Sequence, residues 1–183
     1  MNTTVAPQVT TWNIDPAHSV AEFKVKHMMI SNVKGRFSGI KGSLRLDDTD
    51  VTQSHVEASI DAASVNTHEP QRDAHLKSAD FFDVETFPTL SFASRRITRK
   101  SDGELEVTGD LTIRGVTRSV AFTVDGPSAP AKDPWGYTRV GLAATTKINR
   151  KDFGLTWNAT LETGGILVGD DVTVSLELQF VKA

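Results

Sequence analysis

The sequence contains no cysteine. Disulfide scaffolds, cysteine-based zinc ribbons, iron–sulfur clusters and thiol nucleophiles are therefore excluded. An excess of positive charge is also missing, because 20 Lys and Arg residues stand against 23 Asp and Glu residues and leave a net charge of −3. Binding to a phosphate backbone requires a basic surface, so the charge balance argues against nucleic acid as the main partner.

Long hydrophobic runs are absent too. No stretch approaches the roughly 20 apolar residues that a membrane-spanning helix needs. Residues 1–10 contain no Lys or Arg and no apolar run, so they do not read as a secretory signal peptide. We therefore expect a cytoplasmic protein. The 183 residues suit one domain over residues 1–183, with residues 1–10 as a short N-terminal extension.

Alternation of apolar and polar residues, which is typical of half-buried β-strands, recurs along most of the chain. It is found in residues 12–14, 21–27, 40–46, 56–62, 90–97, 105–113, 116–124, 140–148 and 172–180. This pattern predicts eight or nine strands, with turns at residues 101–103 and at Gly115. Strand parity further predicts that Arg95 and Arg96 lie on opposite faces of their strand.

Strands with one apolar face must bury those faces against each other. A sandwich or a closed barrel achieves this, and the short connections between consecutive strands favour an up-and-down barrel. A barrel of eight strands is wide enough either to be filled by its own side chains or to hold one small ligand. The strand pattern does not distinguish a filled barrel from a hollow one.

Two segments interrupt the strand pattern. Residues 69–78 predict a short helix with Pro70 at its first position and Thr67 or His68 near its N-cap. Residues 149–154 predict a helical turn that ends at Gly154.

Motifs for common catalytic chemistry are missing from the sequence. It contains neither a phosphate-binding Gly-rich loop followed by Lys nor a Gly-x-Ser-x-Gly nucleophile elbow. Of the five histidines, His27 is notable because it follows Phe23 and Val25 on an apolar strand face. A histidine there is either a structural core residue or a polar contact inside a pocket, and in a pocket it would also be a candidate acid or base.

Several short strings in a fixed order carry a resemblance to a known family. They are IDPAHS at residues 14–19, VKGRF at 33–37, RDAHL at 72–76, DFFD at 80–83, GDLTIRGVT at 109–117 and INRKDFG at 148–154. In this order and spacing, over about residues 12–181, the chain resembles the YceI-like family, the polyisoprenoid-binding proteins of lipocalin-like fold.

The resemblance implies an all-β fold, an eight-stranded antiparallel up-and-down lipocalin-like barrel with one or two short helices. It also implies that the lumen holds an isoprenoid lipid, either a polyprenyl phosphate or an isoprenoid quinone, or a similar long-chain amphiphile. The protein would then be a carrier or buffer with no catalysis, no metal and no cofactor. Transient membrane contact and a homodimer are both compatible with this role. The alternative is a small enzyme that acts on a lipid or quinone in the same cavity.

The expected ligand-binding residues combine the resemblance with the apolar strand faces. They are Phe23, Val25, His27, Phe37, Phe81, Phe82, Phe92, Leu111, Phe122, Ile148, Phe153 and Trp157. Arg72 and Arg150 are the head-group candidates, because they lie in the two non-strand segments expected near the barrel mouth. The alternative role for these two arginines is structural, as ion pairs with Asp73 and Asp152 or with neighbours that hold those turns in place.

Overall fold

The structure is a computed structural model that describes residues 6 and 8–183. Eleven strands form within these residues: β1 (Val9–Ile14), β2 (Val20–His27), β3 (Ser31–Phe37), β4 (Ile40–Asp47), β5 (His55–Asp61), β6 (Thr89–Arg99), β7 (Leu105–Ile113), β8 (Val116–Asp125), β9 (Ala131–Lys132), β10 (Thr138–Asn149) and β11 (Val168–Lys182). The helix α1 spans Pro70–Lys77, and short 3-10 helices span Pro16–His18, Val51–Gln53, Ala62–Ser64 and Arg150–Phe153. No helix of the described part is long and apolar enough to cross a membrane.

Eight of the strands close into an antiparallel barrel in the order β1–β4–β5–β6–β7–β8–β10–β11, and β11 pairs with β1 to complete the ring. This confirms the predicted barrel and excludes the sandwich. The barrel departs from a simple meander where the β2–β3 hairpin is inserted between β1 and β4, and where the short strand β9 precedes β10 and pairs with it. The hairpin pairs with β11 on the same edge as β1 and extends the barrel wall there.

The expected N-terminal extension is partly a strand. Val9 and Thr10 belong to β1, where they lie opposite Asp47 and Leu46 of β4. Residues 1–5 and 7 lie outside the described residues.

Strand β3 was missed by the alternation pattern, and Gly35 is the reason. In the sequence Val33-Lys34-Gly35-Arg36-Phe37 the central inward position has no side chain. A Cβ atom at Gly35 would lie 2.3 Å from Cζ of Phe23, so the ring of the neighbouring strand occupies the space. The apolar group at this inward position is therefore the ring of Phe23, which belongs to β2.

A β-bulge between Ser94 and Arg96 corrects the predicted parity of β6. Ser94 is buried, whereas Arg95 and Arg96 are both exposed. The extra residue shifts the register by one, so two consecutive arginines reach solvent.

Helix α1 begins where Pro70 predicts, but its N-cap is Glu69 and not Thr67 or His68. The Glu69 carboxylate accepts hydrogen bonds from the backbone N–H groups of Gln71 and Arg72. Thr67 is tied instead to Asp73, whose carboxylate accepts from both its N–H and its hydroxyl. The predicted turn at residues 149–154 is confirmed as the 3-10 helix Arg150–Phe153, which ends at Gly154 with φ 79°.

The buried core divides into two groups on either side of the lumen. The larger one includes Trp12, Val140 and Phe180, which fill the barrel interior near the end where β10 begins and β11 finishes. The smaller one is formed by Ile97, Leu105, Val107, Phe122, Val124 and Ala144. Residues of both groups line a cavity inside the barrel.

Candidate ligand-binding site

The barrel encloses a cavity of about 330 Å³ whose wall is almost entirely apolar. Its volume falls at the lower end of the range for small-molecule sites, about 300–1,000 Å³. Inward-facing residues of β11 run along one side of it, namely Val172, Val174, Leu176 and Leu178. The hollow alternative for an eight-stranded barrel therefore applies to this chain.

The structure places all fourteen predicted site residues on the wall of this single cavity: Phe23, Val25, His27, Phe37, Phe81, Phe82, Phe92, Leu111, Phe122, Ile148, Phe153, Trp157, Arg72 and Arg150. They come from β2, β3, β6, β7, β8 and β10, from α1 and the turn that follows it, and from the segment after β10. Contact of these residues with a ligand stays a prediction.

Aromatic rings border the cavity at both ends. Phe37 contacts Phe23 at a centroid distance of 5.7 Å and Phe82 at 5.5 Å, the latter edge to face. Deeper in the barrel, Phe92 and Phe122 also meet edge to face, at 5.2 Å. These contacts hold the rings in defined orientations relative to each other.

The mouth of the cavity lies under α1. Lining residues at this end, such as Arg72, His75 and Trp157, are only half-buried, whereas Leu105 and Val124 at the other end are buried. The mouth is therefore bounded by α1, by the segment that follows β10 and by the β2–β3 hairpin.

His75 is a mouth residue that sequence reasoning missed. Its ring packs edge to face on Phe81 at 5.0 Å and on Trp157 at 4.6 Å, and its Nε2 lies 2.8 Å from Oδ2 of Asp80. A usable signal was present, because His75 lies three positions after Arg72 and hence on the same face of the predicted helix. The structure adds His75 to the polar groups of the mouth.

Arg72 braces the chain that leads into α1. Its Nε donates to the hydroxyl of Thr67 at 2.7 Å, and one terminal nitrogen donates to the Thr67 carbonyl at 2.9 Å. The alternative of an ion pair with Asp73 is not realised, since the Asp73 carboxylate accepts from Thr67. Arg72 thus links the cavity wall to the α1 N-terminus.

Arg150 is only 4% exposed and makes four hydrogen bonds to backbone carbonyls. The acceptors are Leu155, Trp157, Val168 and Gly169. Its ion pair is with Asp170 at 3.9 Å and not with Asp152. Burial lowers the pKa of the Arg150 guanidinium, and the Asp170 carboxylate opposes that shift. The side chain therefore fastens the segment that forms one rim of the mouth.

His27 is the last residue of β2 and lies opposite Ser31 of β3 and Val168 of β11. It lines the cavity and is half-buried, and a polar contact between His27 and a ligand stays a prediction. In the part of the chain described, no group of three or more His, Asp or Glu side chains is arranged to hold a metal ion.

The site combines an almost entirely apolar cavity wall with the polar side chains of Arg72, His75 and Arg150 at its mouth. This arrangement suits an amphiphile that has one apolar chain and one polar end, because the chain replaces water against apolar walls while the polar end stays near solvent.

Comparison with known proteins agrees with this geometry. UPF0312 protein SA2479 of Staphylococcus aureus strain N315 is 37% identical over 173 residues, which cover 94% of this chain and 98% of that protein. The Campylobacter jejuni YCEI protein, known from a crystal structure, is 30% identical in sequence. Its structure matches with a TM-score of 0.71 over 87% of this chain and 91% of that one. A polyisoprenoid binding domain from Saccharophagus degradans shares the fold, with a TM-score of 0.66 at 16% identity over 96% of this chain and all of that one. The family model for the YceI-like domain matches residues 12–180, and the chain therefore belongs to the YceI-like family.

Proposed function

We propose that the protein binds one isoprenoid lipid, a polyprenyl phosphate or an isoprenoid quinone, with its chain in the lumen and its head group at the mouth. It acts as a carrier or buffer and does not transform the lipid. The observation that carries the proposal is the apolar cavity of about 330 Å³ inside a closed barrel. The name of the Saccharophagus degradans domain, a polyisoprenoid binding domain, supports the ligand class.

The energetics favour exchange over permanent storage. Each methylene group removed from water contributes about 0.8 kcal/mol, so even a short isoprenoid would bind strongly from solution. The competing environment in a cell is the bilayer, where the same chain is already out of water. Net preference for the protein then depends on the fit of the chain and on head-group contacts, which suits reversible loading and unloading.

The polar groups of the mouth support binding without catalysis. Arg150 donates hydrogen bonds to four backbone carbonyls, and Arg72 donates to Thr67. The ring of His75 lies within hydrogen-bond distance of the Asp80 carboxylate. These groups shape an entrance, and their hydrogen bonds to protein stabilise its position. We infer that they admit a head group and orient it without acting on it.

Lipid extraction and titration test the proposed function. Organic extraction of the purified protein should release an isoprenoid that mass spectrometry identifies. Titration with farnesyl phosphate should change the tryptophan fluorescence, because Trp157 lines the cavity, and palmitate should compete less well. If extraction releases no lipid and farnesyl phosphate binds no better than palmitate, the proposal is wrong.

The His27→Ala variant separates carriage from catalysis. A carrier should lose a modest part of its farnesyl phosphate affinity, and the lipid recovered after incubation should be unchanged. Conversion of the lipid by the wild-type protein, abolished in the variant with binding retained, would establish the enzyme alternative instead.

A further inference from the structure

The turn between β2 and β3 exposes three large apolar side chains. Met28, Met29 and Ile30, here called the β2–β3 tip, are 40%, 65% and 79% exposed. Single apolar residues on a surface are ordinary, but three consecutive ones that project from a hairpin form a patch, and such patches mark interaction sites.

The backbone conformation of the tip is strained for the residue types found there. Met28 and Met29 both have positive φ, 52° and 62°. Asn and Gly adopt this conformation with little strain and are the usual residues of such hairpin turns. Two methionines therefore occupy positions where neither solubility nor local backbone preference favours them.

The hairpin also concentrates positive charge on its outer face. Lys24, Lys26 and Lys34 are exposed, and Lys24 lies directly opposite Lys34 in the register of the two strands. Like charges in this position destabilise a strand pair. Over Val20–Phe37 four cationic residues accompany one Glu, a net charge of +3 in a chain whose total is −3.

The tip lies beside the entrance of the cavity. His27, the residue before Met28, lines the cavity wall. The N–H of Met28 donates to the carbonyl of Leu167 at 2.7 Å, and the next residue, Val168, again lines the cavity. A surface that engages the tip would therefore face the mouth.

We propose that the β2–β3 tip inserts into the surface of an anionic phospholipid bilayer, with Lys24, Lys26 and Lys34 against the lipid head groups. The apolar tip supplies burial and the lysines supply attraction to negative charge, the combination that binds proteins to membrane surfaces. This inference rests on the proposed function, because docking in this orientation brings the mouth to the membrane in which an isoprenoid lipid is dissolved.

Vesicle cosedimentation of the full chain tests the docking surface. The wild-type protein should bind vesicles of phosphatidylcholine mixed with phosphatidylglycerol, bind phosphatidylcholine alone weakly, and lose binding as salt is added. The double variant Met29→Ser/Ile30→Ser should lose at least about tenfold in vesicle affinity, because its apolar burial is removed. The Lys24→Gln/Lys34→Gln variant should lose about fivefold for each lysine on the mixed vesicles only.

The matched control is Trp135→Ser/Tyr137→Ser. These residues are also exposed, at 79% and 57%, but they precede β10 at the opposite end of the barrel, so vesicle binding should be unchanged. Equal vesicle binding by wild type and the tip variant would overturn the proposal. A change of solution mass in the tip variant, measured by light scattering, would overturn it in favour of a second copy as the occupant.

Farnesyl phosphate titration without vesicles distinguishes failure of docking from failure of the proposed function. The tip and lysine variants should bind farnesyl phosphate as the wild-type protein does. If the wild-type protein binds no farnesyl phosphate, the proposed function fails, and the vesicle assay is still interpretable on its own.

Discussion

The charge of Asp15 is coupled to the fold. Its Oδ2 accepts from Arg139 at 2.6 Å and lies 2.8 Å from Nδ1 of His18. Arg139 first, and His18 second, lower the pKa of Asp15 from 3.8 to about 2. A lowered pKa in the folded state stabilises the ionised form, so its contribution is complete above the unfolded pKa and is lost as the pH falls towards 2.

Replacing Asp15→Asn should therefore reduce the free energy of unfolding at neutral pH by about 1–2 kcal/mol, a value that allows for partial screening by solvent. The difference between wild type and variant should shrink as the pH is lowered from 4 to about 2, in denaturant titrations repeated at each pH. A constant difference across that range would show that the carboxylate charge is not the stabilising group.

Arg150 illustrates a role that residue type alone does not reveal. A lysine at this position keeps the charge but cannot reach four carbonyl groups in the geometry of a guanidinium. We expect Arg150→Lys to lower the free energy of unfolding by about 2–4 kcal/mol, because buried carbonyls lose their donors. The control Arg95→Lys, at a side chain 72% exposed, should change it by less than about 1 kcal/mol. Unchanged stability of Arg150→Lys with lost farnesyl phosphate affinity would instead assign Arg150 to the head group.

At the residue scale, the sequence predicted which side chains line the cavity better than it predicted what they touch. Strand parity identifies inward positions such as Phe23 and Phe122 without knowledge of their neighbours. The partners of Arg150 are backbone carbonyls from residues 155–169. Such contacts depend on the path of an irregular segment, and no local pattern encodes that path.

At the scale of elements, the β2–β3 hairpin depends on the contact between Gly35 and Phe23. The Gly35→Ala variant places a methyl group 2.3 Å from the Phe23 ring and 2.9 Å from Thr67 Cγ2. The ring must shift into the cavity or the strands must separate, and overpacking of this kind costs about 1–3 kcal/mol. We expect reduced farnesyl phosphate affinity together with reduced stability.

Gly141→Ala in β10 is the matched control, because its Cβ atom would meet only the Leu178 carbonyl, at 3.7 Å. Both variants should be compared by denaturant unfolding and by farnesyl phosphate titration. If Gly35→Ala behaves like Gly141→Ala in both assays, the close packing of the hairpin does not shape the cavity.

The strands were predictable where the apolar residues on the inward face all belong to the strand itself. Strands β7 and β11 alternate regularly and were found within a few residues of their ends. Strand β3 was missed because the ring of Phe23 occupies the space beside Gly35. The prediction that Arg95 and Arg96 lie on opposite faces was wrong because of the bulge between Ser94 and Arg96. Both errors arise from contacts between strands, which a single-strand pattern does not contain.

For the whole molecule, the sequence left open whether the barrel is filled or hollow. That outcome depends on how large side chains from different strands meet. Trp12, Val140 and Phe180 fill one region, while Ala58 and Ala144 leave space elsewhere on the wall. The number of apolar residues alone cannot distinguish these packings, whereas strand count and closure follow from alternation and short connections.

Filling the cavity tests the central claim, that the lumen binds an isoprenoid chain. Ala58 lines the cavity on β5, so Ala58→Phe projects a ring into the lumen. Ala121→Phe adds the same ring at an exposed position of β8, and serves as the control. Both variants should remain folded, as judged by circular dichroism, since neither removes a buried contact.

The decisive measurement is the affinity of wild type, Ala58→Phe and Ala121→Phe for farnesyl phosphate, determined by titration calorimetry. The account predicts at least about tenfold weaker binding for Ala58→Phe, because several buried methylene groups of the ligand lose their space, and wild-type affinity for Ala121→Phe. Equal affinity of all three folded proteins would contradict binding in the lumen.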